Sequence, residues 1–514
     1  MDLQIYEDEY KNMLPSYWKN AKLGEVAEYL NGRAFKPKEW KEKGLPIIRI
    51  QNLNNEDAKY NYSDEIFEEK YLVKQGELLF AWSASLGAYI WKGKDAWLNQ
   101  HIFKVVPKSF IHKLYLYYYL DKVTKELYGK AHGSGMVHVT KKKFEATSIV
   151  LPPLPEQRAI VSKIEQLFSE LDNGIANLTL AQEQLKVYRQ AVLKKAFEGE
   201  LTRQWREQQT DLPDARELLE QIRVEREEGY SRKLDEWKRA VEVWEDGGKV
   251  GRKPKKPRKL KDSKSLSIED LTKLPQLPQK WSWASHSQIS IINPPKPDGE
   301  ESLEVSFLPM PAVEEQTGKY SLSETRKLGK VRKGYTGFIE GDVIFAKITP
   351  CMENGKVAYI EKLVNGVGFG STEFHVSRPA SNISGKYLFH YLVQHIFRKE
   401  AQRNMTGTAG QLRVPTNYFA EQPFPLCSLP EQQAIVTEIE TRLSVCDKVE
   451  QDIAENLEKT EALRQSILKQ AFEGMLLNGR ELEEVRGAPD WEPAEVLLER
   501  IRAEKTDSSR KRKA

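Results

Sequence analysis

The sequence predicts an α+β protein built twice: two globular domains of mixed helix and strand, alternating with two long helices that pair as an antiparallel coiled coil. Three observations predict it. A segment recurs at an offset of 275 residues, giving the chain an internal pseudo-twofold repeat. The recurring segment carries a 3.5-residue apolar period over six turns, the seam of a left-handed coiled coil. The stretches between the copies hold short β-rich runs punctuated by glycine and proline.

The elements follow in chain order. Residues 1–153 form the first globular domain, with runs such as "LPIIRI", "GELLFAW" and "HIFKVV" and one aromatic helix candidate, "KLYLYYYL". Residues 154–202 are the first helical segment. It opens "LPEQ" and closes "AFEG", as does its copy at 429–477, and 21 of the 49 aligned positions are identical. The seam reads Ile160, Ile164, Leu167, Leu171, Gly174, Leu178, Ala181, Leu185, Tyr188 and Val192. In the copy it reads Ile435, Ile439, Arg442, Cys446, Val449, Ile453, Asn456, Thr460, Leu463 and Ile467. Pro155 and Pro430 precede the helices, with Glu156 and Glu431 suited to the first turn, and Gly199 and Gly474 stand at the C-caps. About 44 residues at 1.5 Å each make rods of about 65 Å.

Residues 203–275 are a charged helical extension and a basic linker ending "GGKVGRKPKKPRKLKDSK", which reads as a solvated, proline-extended connector, with phosphate contact or a helper-protein surface as the alternatives. Residues 276–428 form the second globular domain, with "DVIFAKI", "KVAYI" and "KYLFHYLVQHIF", and 478–514 a C-terminal helical tail. The repeat reaches past the helices. "LPSYW" at 14–18 answers "LPQKW" at 277–281, "GMVHVTKKKF" at 135–144 answers "GQLRVPTNYF" at 410–419, and "ARELLEQIR" at 215–223 answers "AEVLLERIR" at 494–502.

Composition narrows the function. The 514 residues suit three or four domains at about 150 each. With 79 Lys and Arg against 75 Asp and Glu, the net charge of +4 excludes a polybasic nucleic-acid binder. Positive charge gathers in the globular parts: 22 basic and 15 acidic residues over 14–152, and 17 and 14 over 277–428. Three scattered cysteines exclude a disulfide framework and a cysteine zinc site. No apolar run approaches the eighteen residues of a membrane helix, and the acidic start lacks a signal-peptide core. The expectation is a soluble cytoplasmic protein with no membrane contact. No P-loop, Gly-x-Ser-x-Gly or His-Glu-x-x-His pattern occurs. "INPPKP" at 292–297 is similar to the Asn-Pro-Pro-aromatic motif of adenine methyltransferases, but Lys296 replaces the aromatic and no glycine-rich cofactor loop lies upstream. A proline-rich turn is the better reading.

Two variable domains alternating with two matched segments, together with "QGELLFAWSASLGAYIW" and "GSGMVHVTKKKFEATSIVLPPLPEQ", make the chain resemble the specificity subunit of type I restriction-modification enzymes. The resemblance implies two target-recognition domains, each reading half of a split site in double-stranded DNA, with the helices as the ruler between them. It implies a non-catalytic chain that binds no cofactor itself. Two modification subunits would use S-adenosylmethionine, and restriction subunits ATP and magnesium. Direct readout needs donors and acceptors on loops. In the first domain Gln51 and Asn52 after a strand, Ser83, Ser85, Ser134 and His138 are the candidates, with Lys141, Lys142 and Lys143 for phosphates. In the second they are Lys347, Thr349, Asn354, Lys356, Thr372, Thr408, Gln411 and Arg413. A coiled-coil scaffold without DNA and an enzyme of other chemistry are the competing classes; neither accounts for duplicated basic α+β domains.

Overall fold

The computed structural model describes residues 14–511 apart from 56, 84, 131–139, 258, 260–263 and 409. It comprises two compact units, Met1–Leu180 with Ile453–Ala514, and Ala181–Asp452. Each long helix therefore gives its first half to one unit and its second half to the other.

In the first unit, one four-stranded sheet has the order β2 (Ala27–Asn31), β9 (Ile102–Pro107), β6 (Leu78–Ala81), β7 (Gly87–Ile90). A second orders β4 (Asn61–Ser63), β3 (Leu45–Ile48), β8 (Ala96–Leu98), β5 (Leu72–Val73), and β1 (Lys19–Lys22) pairs with β10 (Ser148–Leu151). The second unit repeats this strand for strand. Its sheets are β12 (Ser290–Ile292), β19 (Phe374–Pro379), β16 (Val343–Ala346), β17 (Val357–Tyr359), and β14 (Glu324–Lys327), β13 (Glu304–Leu308), β18 (Val367–Gly370), β15 (Thr336–Ile339). There β11 (Ser282–Ser285) pairs with β22 (Pro423–Leu426). The β3–β8 and β13–β18 pairs are parallel while their neighbours are antiparallel. One sheet topology thus serves two sequences, and the α+β reading holds.

The same aromatic closes both sheets. Phe144 is fully buried and stacks on Phe80 at 4.3 Å, edge-on to Tyr29 at 5.1 Å. Its counterpart 275 residues on, Phe419, stacks on Phe345 at 5.0 Å and on the His375 ring at 4.9 Å. Offset stacking and edge contacts of this kind add to the burial of the rings.

Both matched segments are helical over 44 residues, Leu154–Phe197 and Leu429–Phe472. They start one residue before Pro155 and Pro430, so each proline lies in the first turn, where its missing N–H costs nothing. Pairing is antiparallel. In the second unit Glu431 accepts hydrogen bonds from Thr202 and Arg206, beyond the end of the first helix, while Asp447 meets Arg189 within it. The pair Arg189–Asp447 at 2.6 Å has its copy in the first unit, Arg464–Asp172, with both partners displaced by 275.

The seam departs from a strict heptad. Tyr188, Val449, Asn456 and Leu463 are exposed, and their neighbours Arg189, Glu450, Leu457 and Arg464 take the inner positions. A helix of 3.6 residues per turn drifts about 20° per heptad against a 3.5 repeat, and here the drift is absorbed by broadening the stripe by one position. Arginine suits those positions because its stem packs while its head stays wet: Arg464 lies over the Phe168 ring at 4.8 Å.

Each unit is completed by the end of a helix. In the first, Leu468, Ala471 and Phe472 enter the domain core, and Phe472 meets Tyr115 at 5.3 Å and Tyr119 at 4.9 Å. In the second, Leu193, Ala196 and Phe197 do the same, with Phe197 against Tyr387 at 4.9 Å and Tyr391 at 5.1 Å. The helices then stop on Gly199 and Gly474, at φ 73° and 76°. A Cβ on Gly199 would come within 2.5 Å of Pro278, and one on Gly474 within 2.8 Å of Pro15. Left-handed backbone and close approach together demand glycine. We expect Gly199→Ala and Gly474→Ala each to cost about 1–3 kcal/mol. Urea unfolding measures it, and an unchanged midpoint in either variant would remove this explanation of the "AFEG" motif.

Candidate nucleic-acid interface

The second domain gathers most of its candidates at one end of the β12-β19-β16-β17 sheet. A small hairpin, β20 (Thr406–Thr408) with β21 (Gln411–Arg413), is pinned to the segment following β16. Thr349 donates its hydroxyl to the Gly410 carbonyl at 3.3 Å and accepts the Leu412 N–H at 3.2 Å. Lys347 donates Nζ to the Thr372 carbonyl at 2.8 Å, which ties in the β18–β19 loop. Arg413 forms a fork with the Glu373 carboxylate, at 2.9 and 3.0 Å. That hydrogen-bonded ion pair holds the Glu373 carboxyl below its ordinary range and raises the guanidinium. Burial pulls Lys347 down.

Three expected readers, Lys347, Thr349 and Arg413, therefore spend their polar groups on holding the loops. Three others, Thr372, Thr408 and Gln411, stand exposed on the platform so made. Asn354 and Lys356 lie elsewhere in the loop: Asn354 donates to Glu315 at 2.7 Å, and Lys356 Nζ to the Val313 carbonyl at 2.8 Å.

The first domain uses the corresponding loops. Gln51 and Asn52 lie on a short helix, Ile50–Asn54, which follows β3, rather than on an extended loop. Asn52 is buried; its oxygen accepts the Arg49 N–H and its amide donates to the Ala58 carbonyl, both at 3.1 Å. Exposed Gln51 donates to the Lys59 carbonyl at 3.2 Å. Ser83 is buried, whereas half-buried Ser85 accepts from Asn54 at 3.2 Å, and Asn54 accepts from the Tyr89 hydroxyl at 2.6 Å. Ser134 and His138 lie outside the described residues. Lys141 donates Nζ to the Tyr29 carbonyl at 2.6 Å and meets Glu145 at 3.6 Å, leaving exposed Lys142 and Lys143 beside the Phe144 anchor.

"INPPKP" is structural. Asn293 accepts the Val376 N–H at 3.0 Å and donates to His375 Nδ1 at 3.2 Å, while Lys296 caps the Arg332 carbonyl at 3.0 Å. Among the described residues no cluster of His, Cys, Asp and Glu could hold a metal ion, and no helix is long and apolar enough to cross a membrane.

Residues 15–179 and 287–459 match the family described as the type I restriction modification DNA specificity domain. The chain belongs to this family. It is 38% identical over 217 residues to the type I restriction enzyme EcoAI specificity subunit of Escherichia coli, which spans 42% of this chain but only about a third (36%) of that relative. To the EcoDI specificity subunit of Escherichia coli it is 24% identical over 507 residues, 97% of this chain and 98% of the relative. The HsdS subunit from Thermoanaerobacter tengcongensis has a similar fold, with a TM-score of 0.51, 17% identity, and coverage of 90% and 98%. A chain from work on complex assembly and conformational transition of the type I R-M system gives 0.54 and 15%, covering 90% and 99%.

Two further groups of polar and basic residues stand at comparable positions of the fold without having been singled out from the sequence. The β8–β9 loop, "NQH" at 99–101, is the topological equivalent of the Thr372 loop, and its Gln100 and His101 side chains meet at 3.3 Å. Reading the repeat strand by strand would have found it. Lys327, Lys330 and Lys333 are exposed at the β14 edge, where Arg326 lies 3.5 Å above the Phe307 ring. The run "RKLGKVRK" was visible, but lysines on a sheet edge also serve to prevent edge pairing.

Buried histidine distinguishes the second domain. Burial pushes His286 and His375 down to about 4, and His390 to about 3. His375 is neutral by its bonding as well, accepting from Asn293 at Nδ1 and donating from Nε2 to the Val414 carbonyl at 2.8 Å. Between about pH 6.5, the unfolded value, and pH 4 the unfolded chain binds protons that the folded domain refuses. Stability is complete above pH 6.5 and falls as the pH drops. We expect a loss on the order of 1–2 kcal/mol per histidine by pH 5. Urea unfolding of the second domain at pH 7.5 and 5.0 measures this, and His390→Leu should flatten the dependence; equal stability at both values would contradict it.

Proposed function

We propose that the chain is the non-catalytic, DNA-reading specificity subunit of a type I restriction-modification complex, each domain reading one half of a bipartite duplex site. The observation that carries the reading is the pair of domains with one strand order and unlike loops. The same end of the same sheet carries Thr372, Thr408 and Gln411 in one domain, and Ser85, Gln100 and His101 in the other. Glutamine matches the paired donor and acceptor of adenine in the major groove, and hydroxyls accept or donate to several bases. A common scaffold with different loops is what independent half-site readers require.

The long helices serve as the spacer, and their two similar surfaces would each dock one modification subunit. Those subunits would supply S-adenosylmethionine chemistry, and restriction subunits ATP- and magnesium-dependent cleavage, with the complex acting in the cytoplasm. The test is reconstitution with modification subunits followed by mapping of the methylated sequence. Thr408→Ala with Gln411→Ala should relax one half-site, with a loss of discrimination of about 1–3 kcal/mol per base contact, and leave the other half intact. Altered bases in both halves would refute independent readout, and an unchanged pattern would remove the hairpin from the reading surface.

A further inference from the structure

The basic segment after helix Ala215–Asp246 is a built feature. Residues 249–264 hold nine of the chain's 79 Lys and Arg and one of its 75 Asp and Glu. The remaining 70 basic and 74 acidic residues leave the rest of the chain at a net charge of −4. All of the excess positive charge thus resides in sixteen residues.

The structure gives residues 249–257 of that segment a defined seat. Helix Ala215–Asp246 buries only Ala215, Leu218 and Ile222. Beyond them Leu234, Trp237, Val241 and Trp244 form a half-buried stripe at helical spacing. After Gly247 and Gly248 the chain reverses and returns along this stripe. The Trp244 indole N–H donates to the Gly251 carbonyl at 3.2 Å, and that of Trp237 to the Pro254 carbonyl at 3.0 Å. Lys253 lies over the Trp244 ring at 5.7 Å and Lys256 over Trp237 at 5.8 Å. Pro254 and Pro257, three apart, are half-buried, whereas Arg252, Lys253, Lys255 and Lys256 are exposed. A three-residue period is that of the polyproline helix, which stays extended without internal hydrogen bonds. Proline and indole therefore hold a strap whose cations face water.

We infer that this strap is a second, sequence-independent contact for the phosphate backbone of duplex DNA, apart from the base-reading loops. It rests on the proposal that the chain binds DNA. A protein interface would want an apolar centre, and the strap's one large apolar side chain among the described residues is exposed Val250. Phosphates need cations alone, and each neutralised phosphate steepens the salt dependence of binding by about 0.9 in log K against log salt. Arg252 and Lys255 carry no ion pair among the described residues, and the Lys253–Glu245 contact is long at 3.9 Å.

The test uses the full chain assembled with its modification subunits, on 40-base-pair duplexes carrying either the mapped site or a scrambled sequence, between 50 and 200 mM salt. Arg252→Gln with Lys255→Gln should lower the slope by about 2 and weaken both duplexes alike, by about tenfold or more at 0.1 M salt, leaving their ratio unchanged. Arg252→Lys with Lys255→Arg keeps the charge and should keep the slope. Unchanged slope and affinity in the glutamine variant would overturn the inference. So would lost assembly with modification subunits while DNA affinity stays intact, which would assign the strap to an acidic protein surface. A wild-type complex that binds neither duplex would overturn the functional reading itself, and the strap contact with it.

Discussion

Each domain depends on a helix end that it does not itself supply. The first domain ends at β10, yet its core contains Leu468, Ala471 and Phe472; the second begins at Trp281, yet its core contains Leu193, Ala196 and Phe197. Burying one such phenylalanine is worth about 1.5–3 kcal/mol, so neither core is complete without it. At about 100° per residue, one residue inserted between the Arg189–Asp447 pair and Phe197 would turn Phe197 away from Tyr387 and Tyr391. The register of each helix end is therefore held within its own unit, while the domains before the helices diverge.

The ends are locked by polar groups as specific as the apolar ones. Gln157 accepts the His112 N–H at 2.8 Å and donates to the Phe110 and Pro152 carbonyls; Gln432 accepts the Ser384 N–H at 2.9 Å and donates to the Cys427 carbonyl. Both glutamines are fully buried with these bonds made. Glu431 collects Thr202, Arg206 and the Trp281 indole at 2.7–2.9 Å. A buried carboxylate with three donors is stable, and removing Arg206 would leave its charge without a counter-ion. The motif "LPEQ" thus fastens a helix start to the domain before it, and "AFEG" fastens a helix end to the other.

Against this fixed frame the loops are free to differ. Phe144 and Phe419 hold corresponding places in the two cores, and the strands around them agree in order and direction. Above them one domain presents a hairpin braced by Arg413–Glu373 and the other a network through Asn54, Ser85 and Tyr89. Core packing penalises a changed methylene, whereas an exposed loop side chain is free to change at little cost.

The duplication, the helix pair, the α+β domains and the family were legible in the sequence because each leaves a periodic or repeated trace: 3.5-residue spacing, a 275-residue offset, alternating apolar runs. The exposure of the candidates Thr372, Thr408 and Gln411 was legible too, since polar residues at strand ends tend to lie at the surface. What the sequence left open was which polar groups are already spent. Asn52, Lys141, Lys356 and Arg413 look as available as Gln411 in one dimension, and only the folded chain brings each against the carbonyl or carboxylate that occupies it. The seam shifts at Tyr188 and Leu463 for a related reason, because the drift of a 3.6-residue helix is settled by its partner. Local patterns are written in neighbours along the chain; the partners of Lys141, Lys356 and Arg413 lie 112, 43 and 40 positions away, and tertiary packing chooses them.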